Sequence, residues 1–150
     1  EAGQDYAGVA RSRGLGRAAL LLRTLAAVRG GAKQALHYGD RTPAVVLLAP
    51  MKGGVNPFTR VFGVRNDRVL FQAGVLRDEM EAWADEIDGR VLLGWAPGFL
   101  GDQREAVRAE LADLIAAEKL EIGHPRVLLN TLAERIERGE HDAWFEDPKV

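Results

Sequence analysis

A pair of arginines flanks a two-residue turn signal in the middle of the chain. Asn66 and Asp67 separate two apolar segments, and both residue types tolerate the positive φ angles of a tight hairpin turn. Such a turn makes Arg65 and Arg68 direct cross-strand neighbours, which is unfavourable unless something negative lies near them. The planar fork of arginine suits both phosphate and carboxylate. The spacing therefore predicts an anion site on the hairpin, or else two side chains that splay into water or pair with Asp67.

The basic residues are concentrated in the first half of the chain. Residues 1–70 contain eleven Lys or Arg and four acids, a net charge of +7, whereas residues 71–150 contain nine and eighteen, a net charge of −9. The ordinary explanation is that the halves neutralise each other, within one chain or across a dimer. The functional hypothesis is a basic surface that holds an anionic partner. Its predicted residues are Arg41, Lys52, Arg60, Arg65 and Arg68.

A predicted helix at residues 76–88 carries the complementary charge. Asp85, Glu86 and Asp88 lie at its C-terminal end, where they oppose the helix dipole and favour nearby cations. Basic residues of the first half are the first candidates for these cations, and a divalent metal is the second. The acids match no calcium-loop spacing, so we predict no metal site.

Catalytic groupings are sparse. The three histidines, His37, His124 and His141, are scattered, and the single serine, Ser12, lacks the context of a catalytic nucleophile. Cysteine is absent, which excludes thiolate chemistry and disulfides. A Gly-x-Gly-x-x-Ala sequence at 14–19 has the spacing of a dinucleotide fingerprint, but no buried strand precedes it. We therefore expect a non-enzymatic domain without a cofactor.

Two aromatic segments provide the alternative functions. Trp95 and Phe99 lie in or beside the sequence GWAPGFLG, where a pocket would belong to a small enzyme that uses His37 or carboxylates. Trp144 and Phe145 lie near the end of the chain, where they would dock an adaptor onto another protein. The ordinary explanation for both segments is that the rings cover the edge of a core, and for the loop aromatics this explanation is favoured over a contact role.

Hydrophobic periodicity and turn signals predict the elements that position these residues. They are a helix at 15–28, strands at 32–39, 44–49, 58–65 and 68–73, a helix at 76–88, a strand at 90–95, and helices at 102–122 and 125–138. Asp102 and Glu105 have capping-box spacing at the start of the long helix. This order predicts an α+β fold, with an antiparallel sheet of about four to five strands and helices packed on one face. The hairpin side opposite the arginines is expected to face the core; it comprises Phe62, Val64, Val69 and Phe71.

Together these features predict one domain over residues 1–150, with a flexible lead-in at 1–14 and an aromatic tail at 140–150. The longest apolar run is much shorter than the roughly 20 residues that span a membrane, so we expect a soluble, cytoplasmic protein. The predicted function is a binding domain, expected to form a homodimer, that holds nucleic acid or an acidic protein surface. Nucleic acid comes first because phosphate contacts come chiefly from Lys and Arg. The isoelectric point near 6.0 nevertheless lies below the value of about 9 that is typical of dedicated nucleic-acid binders.

Overall fold

The computed structural model describes residues 6–28 and 42–145. The chain divides into two compact units, the first formed by residues 1–43 and 125–150 and the second by residues 44–124. The sequence pattern, which predicts one domain, does not mark this division. The predicted strand at 32–39 lies outside the described residues.

The described residues form an α+β fold, as predicted. In chain order the helices and strands are α1 (Tyr6–Ala26), β1 (Val45–Leu48), β2 (Phe62–Arg65), β3 (Arg68–Phe71), α2 (Ala73–Ala82), β4 (Val91–Trp95), α3 (Gly101–Glu110), α4 (Ala112–Ala116), β5 (Leu120–Gly123) and α5 (Pro125–Glu137). Short 3-10 helices precede β2 at Pro57–Arg60 and follow α5 at Asp142–Phe145.

The first unit is built on the packing of α1 against α5. Its buried apolar residues lie on one stripe of each helix: Ala19, Leu22, Ala26, Leu128, Leu129, Leu132, Ala133 and Ile136. Helix α1 begins at Tyr6 rather than at the predicted Leu15, so the segment from Tyr6 onward is helical. This segment is rich in Ala and Arg, which favour helix, and its glycines lower that preference without preventing it. Helix α5 ends before Gly139, as predicted, and this glycine has a φ of +80°.

The second unit contains two separate sheets. Strand β4 lies at the centre of a three-stranded sheet, antiparallel to β1 and parallel to β5, while β2 and β3 form a two-stranded hairpin. The predicted sheet of four to five antiparallel strands is therefore wrong in size and, at β5, in direction. Parallel strands need a long crossover connection, which α3 and α4 provide between β4 and β5. All five residues of β4 are buried, as expected for a central strand.

The predicted long helix at 102–122 is interrupted twice. Leu111 separates α3 from α4, and the chain then becomes strand β5, in which Leu120 and Ile122 are buried in alternation. The predicted capping box is also wrong. Leu100, with a φ of 43°, is the residue before the first turn of α3, whereas Asp102 lies inside that turn.

Helix α2 ends at Ala82, earlier than the predicted 76–88 helix. The three acids at 85–88 consequently lie in the turn beyond the helix rather than in its last turn. The turn that carries them runs beside the chain after β1. Lys52 donates its backbone N–H to the carbonyl of Glu86, at 2.9 Å, and Asp88 donates to Pro50, also at 2.9 Å.

A single apolar cluster fills the second unit between its sheets and helices. Its largest fully buried side chain is that of Trp95, and the ring of Phe71 packs against it with centroids 5.2 Å apart. The other buried members are Val61, Ala73, Leu76, Met80, Val91, Leu93, Val107, Leu111, Leu114, Leu120 and Ile122. The end of β3 is thereby anchored in the core.

Candidate functional site

The β2–β3 hairpin has the turn that the sequence predicts. Asn66 and Asp67 have φ angles of 50° and 58°, the two positive values of a type I′ turn. The strands pair in the predicted register, so Arg65 lies opposite Arg68. The close approach of two guanidinium-bearing residues is therefore confirmed.

The arginines of the hairpin have no carboxylate partners in the described structure. Arg60, Arg65 and Arg68 are exposed, and none of them forms a salt bridge with a described residue, Asp67 included. Their charges are thus not neutralised by ion pairs of this kind. Neutralisation between the two halves does occur elsewhere, since Arg23 binds Glu137 through two hydrogen bonds of 2.6 and 3.1 Å.

Lys52 has a different environment from the hairpin arginines. Its ammonium group donates a 2.7 Å hydrogen bond to the carbonyl of Asp85, in the acidic turn after α2. This contact fits the expectation that a first-half cation lies beside those acids. Of the predicted basic set, Arg60, Arg65 and Arg68 therefore belong to the hairpin region, Lys52 is bound at the acidic turn, and Arg41 lies outside the described residues.

Gln72 holds Arg60 beside the hairpin. Its side-chain amide donates a 2.9 Å hydrogen bond to the carbonyl of Arg60, and its backbone N–H donates to Val61 at 2.8 Å. Gly63 makes room for this amide, because a Cβ atom at that position would lie only 2.9 Å from Nε2 of Gln72. The residue that follows β3 therefore fixes the segment that precedes β2.

The apolar side of the hairpin is only partly buried. Phe71 packs into the core, and Phe62 contacts it edge-on with ring centroids 5.3 Å apart. Phe62, Val64 and Val69 remain 44%, 74% and 45% exposed. The prediction that this whole side faces the core is wrong, because the hairpin is a sheet of its own and only its Phe71 end reaches the cluster around Trp95. We call Arg60, Arg65 and Arg68, together with Phe62, Val64 and Val69, the hairpin surface.

Gln103 of α3 covers the outer edge of β3. Its side-chain oxygen accepts a 2.9 Å hydrogen bond from the N–H of Phe71, and its amide nitrogen donates one of 2.9 Å to the carbonyl of Val69. These are the two backbone contacts that a neighbouring strand would make. No sequence signal marks Gln103 for this role, because the backbone groups that it binds are more than 30 residues away along the chain.

Two arginines of the acidic half, Arg77 and Arg90, are held by carboxylates of that same half. Arg77 binds both oxygens of Asp113, at 2.6 and 2.7 Å, and also the carbonyl of Glu110 at 2.7 Å. The hydrogen bonds from Arg77 lower the pKa of Asp113 from 3.8 to about 2. Arg90 similarly lies 3.1 Å from a carboxylate oxygen of Glu121. The hairpin arginines lack ion pairs of this kind with the described residues.

The GWAPGFLG loop is closed on itself. Gly98 has a φ of +81° in the predicted type II turn, and the buried indole of Trp95 donates a 2.6 Å hydrogen bond to the carbonyl of Phe99. A pocket of about 330 Å³ does occur in the second unit, but none of the residues that line it belongs to this loop. They are Met80, Glu81, Ala84, Ile87, Gly89, Leu114 and Lys119. His37, the histidine proposed for an enzyme, lies outside the described residues.

The aromatic residues near the C-terminus pack within the first unit. The ring of Trp144 stacks on His141 with centroids 3.8 Å apart, and a Cβ atom at Gly14 of α1 would lie 3.6 Å from the ring of Phe145. Burial, with a smaller contribution from Arg135, lowers the pKa of His141. The two aromatic side chains are half-buried, which supports a packing role within this unit.

Among the described residues, no cluster of three histidine or carboxylate side chains is placed to hold a metal ion. Over the same residues, no helix combines the length and the apolar composition needed to cross a membrane. Comparison with protein-family models, curated proteins and solved structures finds no match for this chain.

Proposed function

We propose that this chain is a binding domain that holds an acidic protein partner on the hairpin surface. One observation carries the proposal. Arg60, Arg65 and Arg68 are exposed without a carboxylate partner among the described residues, and the opposite face of the same hairpin presents exposed apolar side chains.

An anionic partner follows from the cross-strand placement of the arginines. Arg65 and Arg68 lie opposite each other, and like charges at such positions destabilise a hairpin. A carboxylate bound near them would offset this repulsion and form charge-assisted hydrogen bonds with guanidinium groups. The contacts of Arg77 with Asp113 are an example of this chemistry within the same chain.

The apolar half of the hairpin surface favours protein over nucleic acid. Contact of Val64 and Val69 with apolar side chains stabilises a complex, and a protein partner provides such side chains whereas a phosphate backbone does not. The isoelectric point near 6.0 is also unlike that of a dedicated nucleic-acid binder. The homodimer stays a prediction, and sedimentation velocity would test it by measuring the oligomeric state.

The proposal is tested with a short synthetic peptide in which glutamate and valine alternate, labelled at one end for fluorescence anisotropy. We expect binding at low ionic strength that weakens as salt is added. Replacing both arginines of the turn (Arg65→Glu with Arg68→Glu) should lower the affinity at least about tenfold, since each removes a charge-assisted contact.

The chain offers a matched control on α1. Arg13 and Arg17 are exposed and form no salt bridge with the residues that the structure describes, so Arg13→Glu with Arg17→Glu makes the same change in net charge. This control should bind like the original chain. An equal loss in both variants, or no peptide binding at low salt, would contradict the proposal. Tighter binding of a single-stranded oligonucleotide, lost in the same hairpin variant, would establish the nucleic-acid alternative instead.

A further inference from the structure

We infer that the acidic partner binds as an extended strand added to the outer edge of β2. This inference rests on the proposed function and specifies its geometry. It predicts that the partner segment alternates acidic and apolar residues and pairs with the backbone of Phe62 and Val64.

The hairpin register shows which backbone groups of β2 point outward. In a two-residue hairpin the closing pair, here Arg65 and Arg68, exchanges both of its backbone hydrogen bonds. The next residues on each strand, Val64 and Val69, must then direct their N–H and C=O groups away from the partner strand. The hydrogen bond from Gln103 to the carbonyl of Val69 agrees with this assignment on β3.

The same alternation applies to Phe62, two residues before Val64. The N–H and C=O groups of both residues therefore line the outer edge of β2. In residues 42–145 no side chain or backbone group outside the hairpin bonds to them, whereas the equivalent edge of β3 is covered by Gln103. An uncovered strand edge is a template for pairing with another extended segment.

The side chains that flank this edge determine the pattern of the added strand. Successive side chains of a strand point to opposite faces of a sheet. One face of β2 presents Phe62 and Val64, which are exposed, and the other presents Arg65. An added strand with alternating valine and glutamate would place apolar side chains beside the first face and carboxylates beside the second.

Charge argues against a second copy of this chain as the occupant. Pairing of β2 with β2 of another copy would place Arg65 and Arg68 of both chains in one four-stranded sheet, where like charges repel. An acidic segment reverses the sign of this interaction. A nucleic acid cannot occupy the edge, since it lacks the regular series of N–H and C=O groups that a strand offers.

Amide hydrogen exchange measured by NMR tests the geometry directly, with the alternating glutamate–valine peptide as the probe. On binding, the N–H groups of Phe62 and Val64 should exchange at least about tenfold more slowly, because each enters a backbone hydrogen bond. The N–H of Val69, on the opposite edge, should be unchanged. A peptide of the same composition with its glutamates and valines in two separate blocks should protect neither edge.

Two proline variants form a matched pair, because Val64 and Val69 are cross-strand partners. Proline is tolerated on edge strands where its missing N–H would face solvent. Val64→Pro should weaken peptide binding about fivefold or more beyond any loss seen with Val69→Pro, because both variants lose one valine side chain but only Val64→Pro also loses a backbone hydrogen bond to the peptide. If Val64→Pro does not fold, peptides N-methylated on one or the other set of alternate amides replace it. Methylation of one set of peptide amides should abolish the protection of the Phe62 and Val64 N–H groups, and methylation of the other set should leave it intact.

The outcomes separate this inference from the proposed function. Binding that depends on Arg65 and Arg68 without protection of Phe62 and Val64 would overturn strand addition alone. If the peptide neither binds through Arg65 and Arg68 nor protects Phe62 and Val64, the proposed function and strand addition are both overturned. Protection of these two amides in the protein without peptide would also overturn the inference, because it would show that the edge is already occupied.

Discussion

The two strands of the hairpin share one turn and one register but differ at their outer edges. The edge of β3 is covered by the side chain of Gln103, and its Phe71 end is packed against Trp95. In the described structure the edge of β2 has no such cover, and its Val64 is largely exposed. Both strands are related in the same way to the turn, so the difference between their edges comes from α3, which carries Gln103. A single side chain outside the hairpin thus determines which strand is open to a partner.

The charged residues repeat this contrast. Arg77 is bound by Asp113 and by a carbonyl of α3, whereas Arg65 and Arg68 have no carboxylate within the described parts of the chain. The acidic half therefore uses some of its own arginines to neutralise part of its charge. The basic half keeps unpaired arginines on the hairpin, which is why the charge asymmetry of the sequence persists there.

The largest expected effect on stability comes from uncovering the β3 edge. Gln103→Met keeps the bulk of the side chain but removes both hydrogen bonds, which leaves the half-buried N–H of Phe71 without a partner. We expect the free energy of unfolding to fall by about 2 kcal/mol, as measured by urea denaturation. Gln103→Glu retains an acceptor for that N–H and should lose less. Equal losses in the two variants would show that the N–H contact does not contribute.

A smaller effect is expected on the arginine side of β2. Gly63→Ala places a methyl group against the side chain of Gln72 and should displace it from the carbonyl of Arg60, at a cost of about 1 kcal/mol. Gln72→Ala should cost a similar amount. If the two changes act through this one contact, the double variant costs no more than Gln72→Ala alone. Additive losses in the urea series would refute the coupling.

The two sets of arginines should differ in their effect on pH dependence. The pKa of Asp113 is about 2 in the folded chain, below its ordinary 3.8, so the stabilisation from Arg77 is complete above about pH 4 and is lost as the pH falls towards 2. Arg77→Met should return this pKa towards 3.8 and remove that loss. Arg65→Met should leave it unchanged. NMR titration of the Asp113 carboxyl carbon would distinguish these results.

The smallest effect on folding is expected at the open edge. Val64→Thr changes a mostly exposed side chain and should alter the free energy of unfolding by no more than about 0.5 kcal/mol. It should still weaken binding of the glutamate–valine peptide, because it replaces a methyl group in the apolar contact by a hydroxyl. A variant that loses stability but binds normally would show that Val64 serves folding rather than binding.

Local sequence signals predicted the parts of the fold that depend on neighbouring residues. The Asn66–Asp67 turn, the hairpin register and the strand at 90–95 all follow from turn chemistry and short apolar runs, and the structure confirms them. The sequence pattern does not predict strand β5, because Leu120 and Ile122 follow a helical pattern with no Gly or Pro between them and the helix. Its strand conformation is favoured by pairing with residues 91–94 of β4, which are distant in the sequence.

The candidate site was predicted in the same uneven way. The arginines of the turn could be identified, because a two-residue loop fixes their positions relative to each other. The apolar residues on the opposite face are predicted to lie in the core. Most of them do not, because the sequence does not show that the hairpin forms a separate sheet of which only the Phe71 end reaches the core. Gln103 could not be found, as its contacts depend on where α3 is placed.

By itself, the amino-acid sequence determined the hairpin turn, the pairing of Arg65 with Arg68 and the uneven distribution of charge, because these depend on residue type and on separations of a few residues. Only the tertiary structure decided which edge of the hairpin is covered, which of its apolar side chains reach the core and which arginines find carboxylates. Those outcomes depend on contacts between segments distant in the chain, and such contacts form only when the helices and sheets pack.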